Sequence, residues 1–254
     1  LAKKLIEIHK WAEMVRFSKS GGEACLIAIR IARAFSNKEK IAFCGYHGWH
    51  DWYMSANLQN KKNLDEQLLP GLGNKGISKS FKNSIYSFQY NDINSLKKLF
   101  KKNKNKIGIV IMEPMRYIEP KNRFLQKVKK IAKDNGAILI FDEITSGFHE
   151  NFGGLHLKLK VTPDIAIFGK ALGNGYPISA VIGKKKIMNR AENTFISSTF
   201  WTERIGYVAA LKTLSEMKKL QSWKIITENG LYVKKLWRDI ANDNGLDLNI
   251  FGLD

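Results

Sequence analysis

Apolar positions recur along this chain with two periods, one suited to helices and one to strands. Leu1, Leu5 and Ile8 mark a helix face, and a short strand follows from Met14 to Phe17. Gly21-Gly22 breaks that run. Leu26, Ile27, Ile29, Ile31 and Ala32 then set an amphipathic helix that continues through Phe35. Ile41–Cys44 reads as a second strand. Residues 57–84 are polar and dotted with glycine, too long for a simple connection, and suggest a functional loop. A helix near 94–100 precedes strand Ile107–Met112, helix Arg123–Asn135, and strands Ala137–Phe141, Asp164–Phe168 and Ile178–Ile182. One more strand is expected at Thr194–Phe200, then helices from Glu203 to Lys219 and from Ser222 to Asn242. Continuous apolar strands flanked by helices predict an α/β fold with a mostly parallel central sheet covered on both faces.

In such a sheet a ligand sits outside the carboxyl ends of the strands. The residues that follow the strands are Ser20-Gly21-Gly22, Tyr46-His47, Glu113-Pro114, Asp142-Glu143, Gly169-Lys170 and Ser198-Thr199. Lys170 is delivered by Asp164–Gly169 to the crevice mouth, where desolvation would make its amine a nucleophile toward carbonyls; a lysine reaching out to solvent is the other reading. Asp142 follows five apolar residues and is placed to hold a protonated ring nitrogen, cap a helix or ligate a metal. Ser20-Gly21-Gly22 opens a helix and suits an anion cradle or a plain turn. Tyr46-His47 offers an aromatic face. His47, His50 and Asp51 have a spacing that metal ligands use, yet Trp49 and Trp52 favour a packed aromatic loop, and no metal is expected.

Charge changes this picture little. The 254 residues carry 42 Lys+Arg against 23 Asp+Glu, a net charge of +19, which raises the alternative of a basic nucleic-acid-binding protein. Only eight of the basic residues are Arg, a lysine bias better matched to solvated helix ends than to a phosphate groove, so no nucleic-acid partner is expected. A hydrophobic share of 44% excludes a disordered chain. No apolar run reaches the ~18 residues of a membrane span. Two cysteines, Cys25 and Cys44, make no disulfide framework, and a reducing, cytoplasmic setting is expected. The chain opens at Leu1 and stops just after the apolar stretch 246–253, and it reads as the middle of a longer protein.

Four stretches occur in an order that carries a resemblance: Met14–Ala24, Gly45-Tyr-His-Gly-Trp-His-Asp51, Phe141-Asp-Glu-Ile-Thr-Ser-Gly-Phe148 and Pro163–Pro177. Together they resemble the class III, or omega, aminotransferases of the fold-type I pyridoxal-phosphate enzymes, nearest the glutamate-1-semialdehyde 2,1-aminomutase branch. The resemblance runs from Leu1 to about Met217. It implies a pyridoxal 5′-phosphate cofactor, a large catalytic domain over 1–242, and the start of a C-terminal small domain at 243–254. Lys170 would form a Schiff base with the cofactor and later move the proton, while Asp142 would pair with the pyridine nitrogen. Tyr46, with His47 beside it, would stack on one ring face and Ile144 would press on the other. Ser20, Gly21 and Gly22 would bind the phosphate. Thr199 would reach the phosphate held by the partner subunit of a homodimer with a shared site. Glu113 would lie near the site with no assigned role.

Three departures from the family pattern stand out. Gly22 replaces a threonine of the phosphate turn, Thr145 stands where glutamine or methionine is frequent, and Ser198–Arg204 replaces a glycine-rich segment. The implied reaction is amino transfer between small molecules. It is either intramolecular, as in the aminomutase, or intermolecular, to a keto-sugar or other carbonyl. An inactive relative that keeps the fold is the remaining option.

Overall fold

The computed structural model describes residues 1–253. In chain order its elements are α1 (Ala2–Ile8), β1 (Met14–Ser18), α2 (Gly21–Ser36), β2 (Lys40–Cys44), α3 (Asp51–Met54), β3 (Ile85–Ser87), α4 (Ile93–Lys102) and β4 (Ile107–Met112). There follow α5 (Phe124–Asp134), β5 (Ile138–Asp142), α6 (Leu155–Lys158), β6 (Ile165–Phe168), β7 (Ser179–Gly183), α7 (Lys185–Met188), α8 (Ile205–Leu220) and α9 (Ser222–Asp243). The strands form one seven-stranded sheet in the order β1-β7-β6-β5-β4-β2-β3. Strands β3, β2, β4, β5 and β6 are parallel, and β7 runs antiparallel to both β6 and β1. The sheet is α/β and mostly parallel, as expected.

The strands are apolar throughout because both faces are covered. Ile109, Ile111, Ile138 and Ile140 pack under α2 and α7, whereas Val110, Met112, Leu139 and Phe141 pack under α4 and α5. Ala166, Phe168, Ala180 and Ile182 continue that second face beneath α1 and α8. The pairings Cys44↔Met112, Met112↔Phe141 and Asp142↔Ile167 bring the strand ends level, so the residues after them share one mouth.

Several expectations are corrected here. Gly21 and Gly22 are the first residues of α2 and not a break before it, because Ser20 caps that helix by accepting the Glu23 N–H at 3.3 Å. β3, only three residues long, has too short a pattern to be seen in the sequence. Thr194–Phe200 is not a strand. It runs extended into a turn over the edge strand β1, where Trp201 Nε1 donates to the Phe17 carbonyl at 3.1 Å and Lys19 pairs with Glu203. With that covering arrangement it joins no ladder. The 57–84 segment is folded on itself. Asn57 donates to Leu72 O and accepts from Leu64 N, at 3.1 and 3.0 Å. No helix among the described residues is long and apolar enough to cross a membrane.

Candidate active site

β1 leads into the capped start of α2. The Glu23 carboxylate accepts the Lys19 N–H at 2.9 Å, which answers the Ser20 cap and holds the turn rigid. The first N–H groups of a helix have no partner within it, and here they belong to Gly21 and Gly22, both lining a cleft of about 590 Å³. Both glycines are closely packed. A β-carbon on Gly21 would lie 2.9 Å from Ile144 Cδ1, and one on Gly22 would lie 3.1 Å from His50 Nε2.

Opposite this turn stands Asp142, the last residue of β5 and only 3% exposed. Its Oδ1 accepts the Ile144 N–H at 3.0 Å. Its Oδ2 accepts from His47 Nδ1 at 2.8 Å and from the Cys25 thiol at 3.4 Å. Burial, then the Asp142 charge, pushes the Cys25 thiol well above its ordinary value, so it remains a donor. The neighbouring carboxylate serves the fold. Glu143 accepts from Leu155 N, His156 N, His156 Nδ1 and Ser146 Oγ at 2.6 to 3.1 Å, and Trp11 Nε1 donates to His156 Nε2.

Lys170 follows β6 and enters the cleft with φ at +40°, in the left-handed region. Gly169 before it passes close to β7: a β-carbon there would lie 2.9 Å from Ser179 Oγ. The Lys170 amine donates to Thr145 Oγ1 at 3.0 Å. The side chain is exposed in the cleft. Tyr46, Asp142, Ile144, Thr145 and Lys170 line the same cavity as Ser20, Gly21 and Gly22.

Three expected site residues lie elsewhere. His47 is buried behind Asp142, its Nε2 3.2 Å from the Cys44 carbonyl. Glu113 lies beneath the Gly45-Tyr46 turn and accepts the Tyr46 N–H at 3.0 Å, with Arg116 Nη1 at 3.6 Å. Burial, then the Asp142 charge, raises its pKa. It faces a larger cavity, about 770 Å³, bordered by Cys44, Tyr117, Trp237 and Phe251. Thr199 sits in an exposed turn outside the cleft of its own chain. The 57–84 loop contributes from behind: Gln67 Oε1 accepts the Gly45 N–H at 2.6 Å.

Sequence reasoning missed Cys25, Thr145 and His50 as neighbours of the cleft's working groups. Cys25 alone had a usable signal, since it lies one helical turn beyond Gly21-Gly22 and therefore on the same face. Among the described residues no group of three or more His, Cys, Asp or Glu is clustered as for a metal ion.

Comparison with known proteins agrees with this geometry. The chain is 35% identical over 259 residues to the 3-aminobutyryl-CoA aminotransferase of Cloacimonas acidaminovorans, covering 99% of this chain and 58% of that protein. It is 36% identical over 261 residues to the glutamate-1-semialdehyde 2,1-aminomutase of Methanobrevibacter smithii, covering 99% of this chain and 60% of the relative. The chain therefore spans under two thirds of the length of either. A solved transaminase with PLP bound shares its fold at a TM-score of 0.87 and 23% identity, over 99% of this chain and 60% of the other. The family Aminotransferase class-III matches residues 1–246, and the chain belongs to that family.

Proposed function

We propose that the cleft binds pyridoxal 5′-phosphate and that the protein transfers an amino group between small molecules, with Lys170 as the reacting lysine. The observation that carries this reading is the convergence of the Lys170 amine, the Asp142 carboxylate and the capped α2 turn on one cavity. The donor set suits the cofactor on three counts. Unpartnered helix N–H groups, approached closely because Gly21 and Gly22 lack side chains, suit a phosphate dianion. Tyr46 and Ile144 offer apolar surface to a flat ring. Asp142 keeps lone pairs in the cleft for a ring N–H while His47 and Cys25 orient it from behind. When bound, the cofactor supplies an electron sink for charge on the substrate carbon.

The protein's own work is then to place protons. Lys170 Nζ, tethered by Thr145 Oγ1, takes and returns the substrate's proton. Asp142 holds a proton on the ring nitrogen. Of the two relatives, the aminomutase is named for an intramolecular shift and the aminotransferase for transfer between molecules. We favour the intermolecular reaction, on a carbonyl acceptor, because Phe200 and Trp201 place bulky exposed aromatics on the turn beside β1. Residues 1–242 form the large catalytic domain and 243–254 begin a smaller one; exposed Tyr232, Trp237 and Ile240 on α9 await that packing. The active unit is a homodimer in which Thr199 completes the partner's phosphate site. A cytoplasmic setting accords with two free, buried thiols.

Borohydride reduction of the cofactor-loaded full-length protein, followed by peptide mass spectrometry, should find the cofactor on Lys170. Lys170→Ala should lose that attachment and turnover together. Attachment persisting at this site in Lys170→Ala would sink the assignment. A strict requirement for an added amino donor favours intermolecular transfer, and turnover of a semialdehyde alone favours the mutase.

A further inference from the structure

We propose that His50 is a phosphate-binding residue of the cleft, its imidazole filling the space into which a side chain at position 22 would project. The inference rests on the cofactor reading above and adds a group that reading does not use. Three atoms of the His50 ring, Nε2, Cδ2 and Cε1, lie 3.1, 3.3 and 3.7 Å from where a β-carbon on Gly22 would stand. The ring is therefore held against the first turn of α2, the part of the cleft that carries free N–H groups. The approach depends on a second glycine. Gly48 has φ at +91°, and a β-carbon there would lie 3.0 Å from Gly22 Cα, so the two backbones touch.

His50 is anchored through its main chain and free at its side chain. Its carbonyl accepts the Tyr53 and Met54 N–H groups at 2.9 and 3.1 Å, which fixes the start of α3. Its ring meets Trp49 edge-on, with centroids 5.3 Å apart. Among the described residues its ring nitrogens make no hydrogen bond. The other charged groups near the turn are already engaged. Lys19 pairs with Glu203, and Glu23 is drawn back onto the Lys19 N–H. Ser20 Oγ accepts the Glu23 N–H. A phosphate dianion takes up more donors than two backbone N–H groups, one hydroxyl and a threonine of the partner supply, and the unpartnered imidazole lies against the same turn.

The test compares two ligands that differ only in the phosphate. Pyridoxal 5′-phosphate and pyridoxal are titrated into full-length wild type, His50→Ala and His50→Gln by equilibrium dialysis, with thermal midpoints recorded for each. His50→Ala should bind pyridoxal 5′-phosphate about ten- to a hundredfold more weakly, the worth of one hydrogen bond to a charged group, and bind pyridoxal as wild type does. His50→Gln, which keeps an N–H donor, should recover part of the loss. Gly22→Thr introduced into His50→Ala should also recover part, because the vacated space then takes a hydroxyl. Equal affinity of wild type and His50→Ala for pyridoxal 5′-phosphate overturns the role of His50 alone. Parallel loss of both ligands overturns it in favour of a packing role. A wild type that binds neither ligand overturns the cofactor reading and this inference with it.

Discussion

Lys170 occupies a backbone conformation that costs a residue with a β-carbon about 1–3 kcal/mol, and such strain gathers where geometry serves chemistry. The Lys170 amine meets Thr145 Oγ1 in the cleft. Glu113 supplies a pH-dependent prediction of its own. Its carboxyl is raised by burial and by the Asp142 charge, so between the ordinary carboxylate value and its own the folded protein holds a proton that the unfolded chain releases. Stability should therefore fall as pH climbs through that window. Thermal midpoints of Glu113→Gln against wild type should show a flatter slope there; parallel slopes would refute the assignment. Lys170 and Asp142 were legible because strand ends in a parallel sheet announce themselves. His47 and His50 were not separable, since a spacing of three in a loop does not say which ring turns behind the carboxylate and which into the cleft.

At the level of elements, the link between β5 and α6 depends on one side chain. Glu143 gathers four buried donors, two of them the N–H groups that open α6. Glu143→Ala would leave them without an acceptor and should cost about 3–5 kcal/mol in denaturant unfolding. A loss below about 1 kcal/mol would show that water replaces the carboxylate. The strands β4, β5, β6 and β7 were readable to within a residue or so because burial on both faces leaves an unbroken apolar run. The 194–200 segment has β-branched and aromatic residues of the same kind, but Phe195 is 82% exposed and only Ile196 packs against the core. Composition marks a segment able to be a strand; an available neighbour decides whether it becomes one.

At the scale of the whole molecule, Thr199 stands on an exposed turn outside the cleft of its own chain, as a residue serving a partner subunit would. Complementation tests the proposed shared site. Thr199→Ala alone should retain cofactor poorly and Lys170→Ala should be inactive. Subunit exchange between them should restore one tight, working site per mixed dimer, because one cleft then has both residues. No recovery after demonstrated exchange would refute the shared site.

The antiparallel β7 has a further consequence. Since it pairs directly with β6, the chain leaves β6 at Gly169 and returns at Ser179 on the same side of the sheet, with exposed Tyr176 near the tip. The residues between do not cross the molecule; they form a doorway anchored on both jambs, one of which carries Lys170, the lysine proposed to react. Lengthening or shortening its span would change which molecules are admitted without moving a strand, so selectivity at this threshold can drift while the chemistry beyond it stays in place.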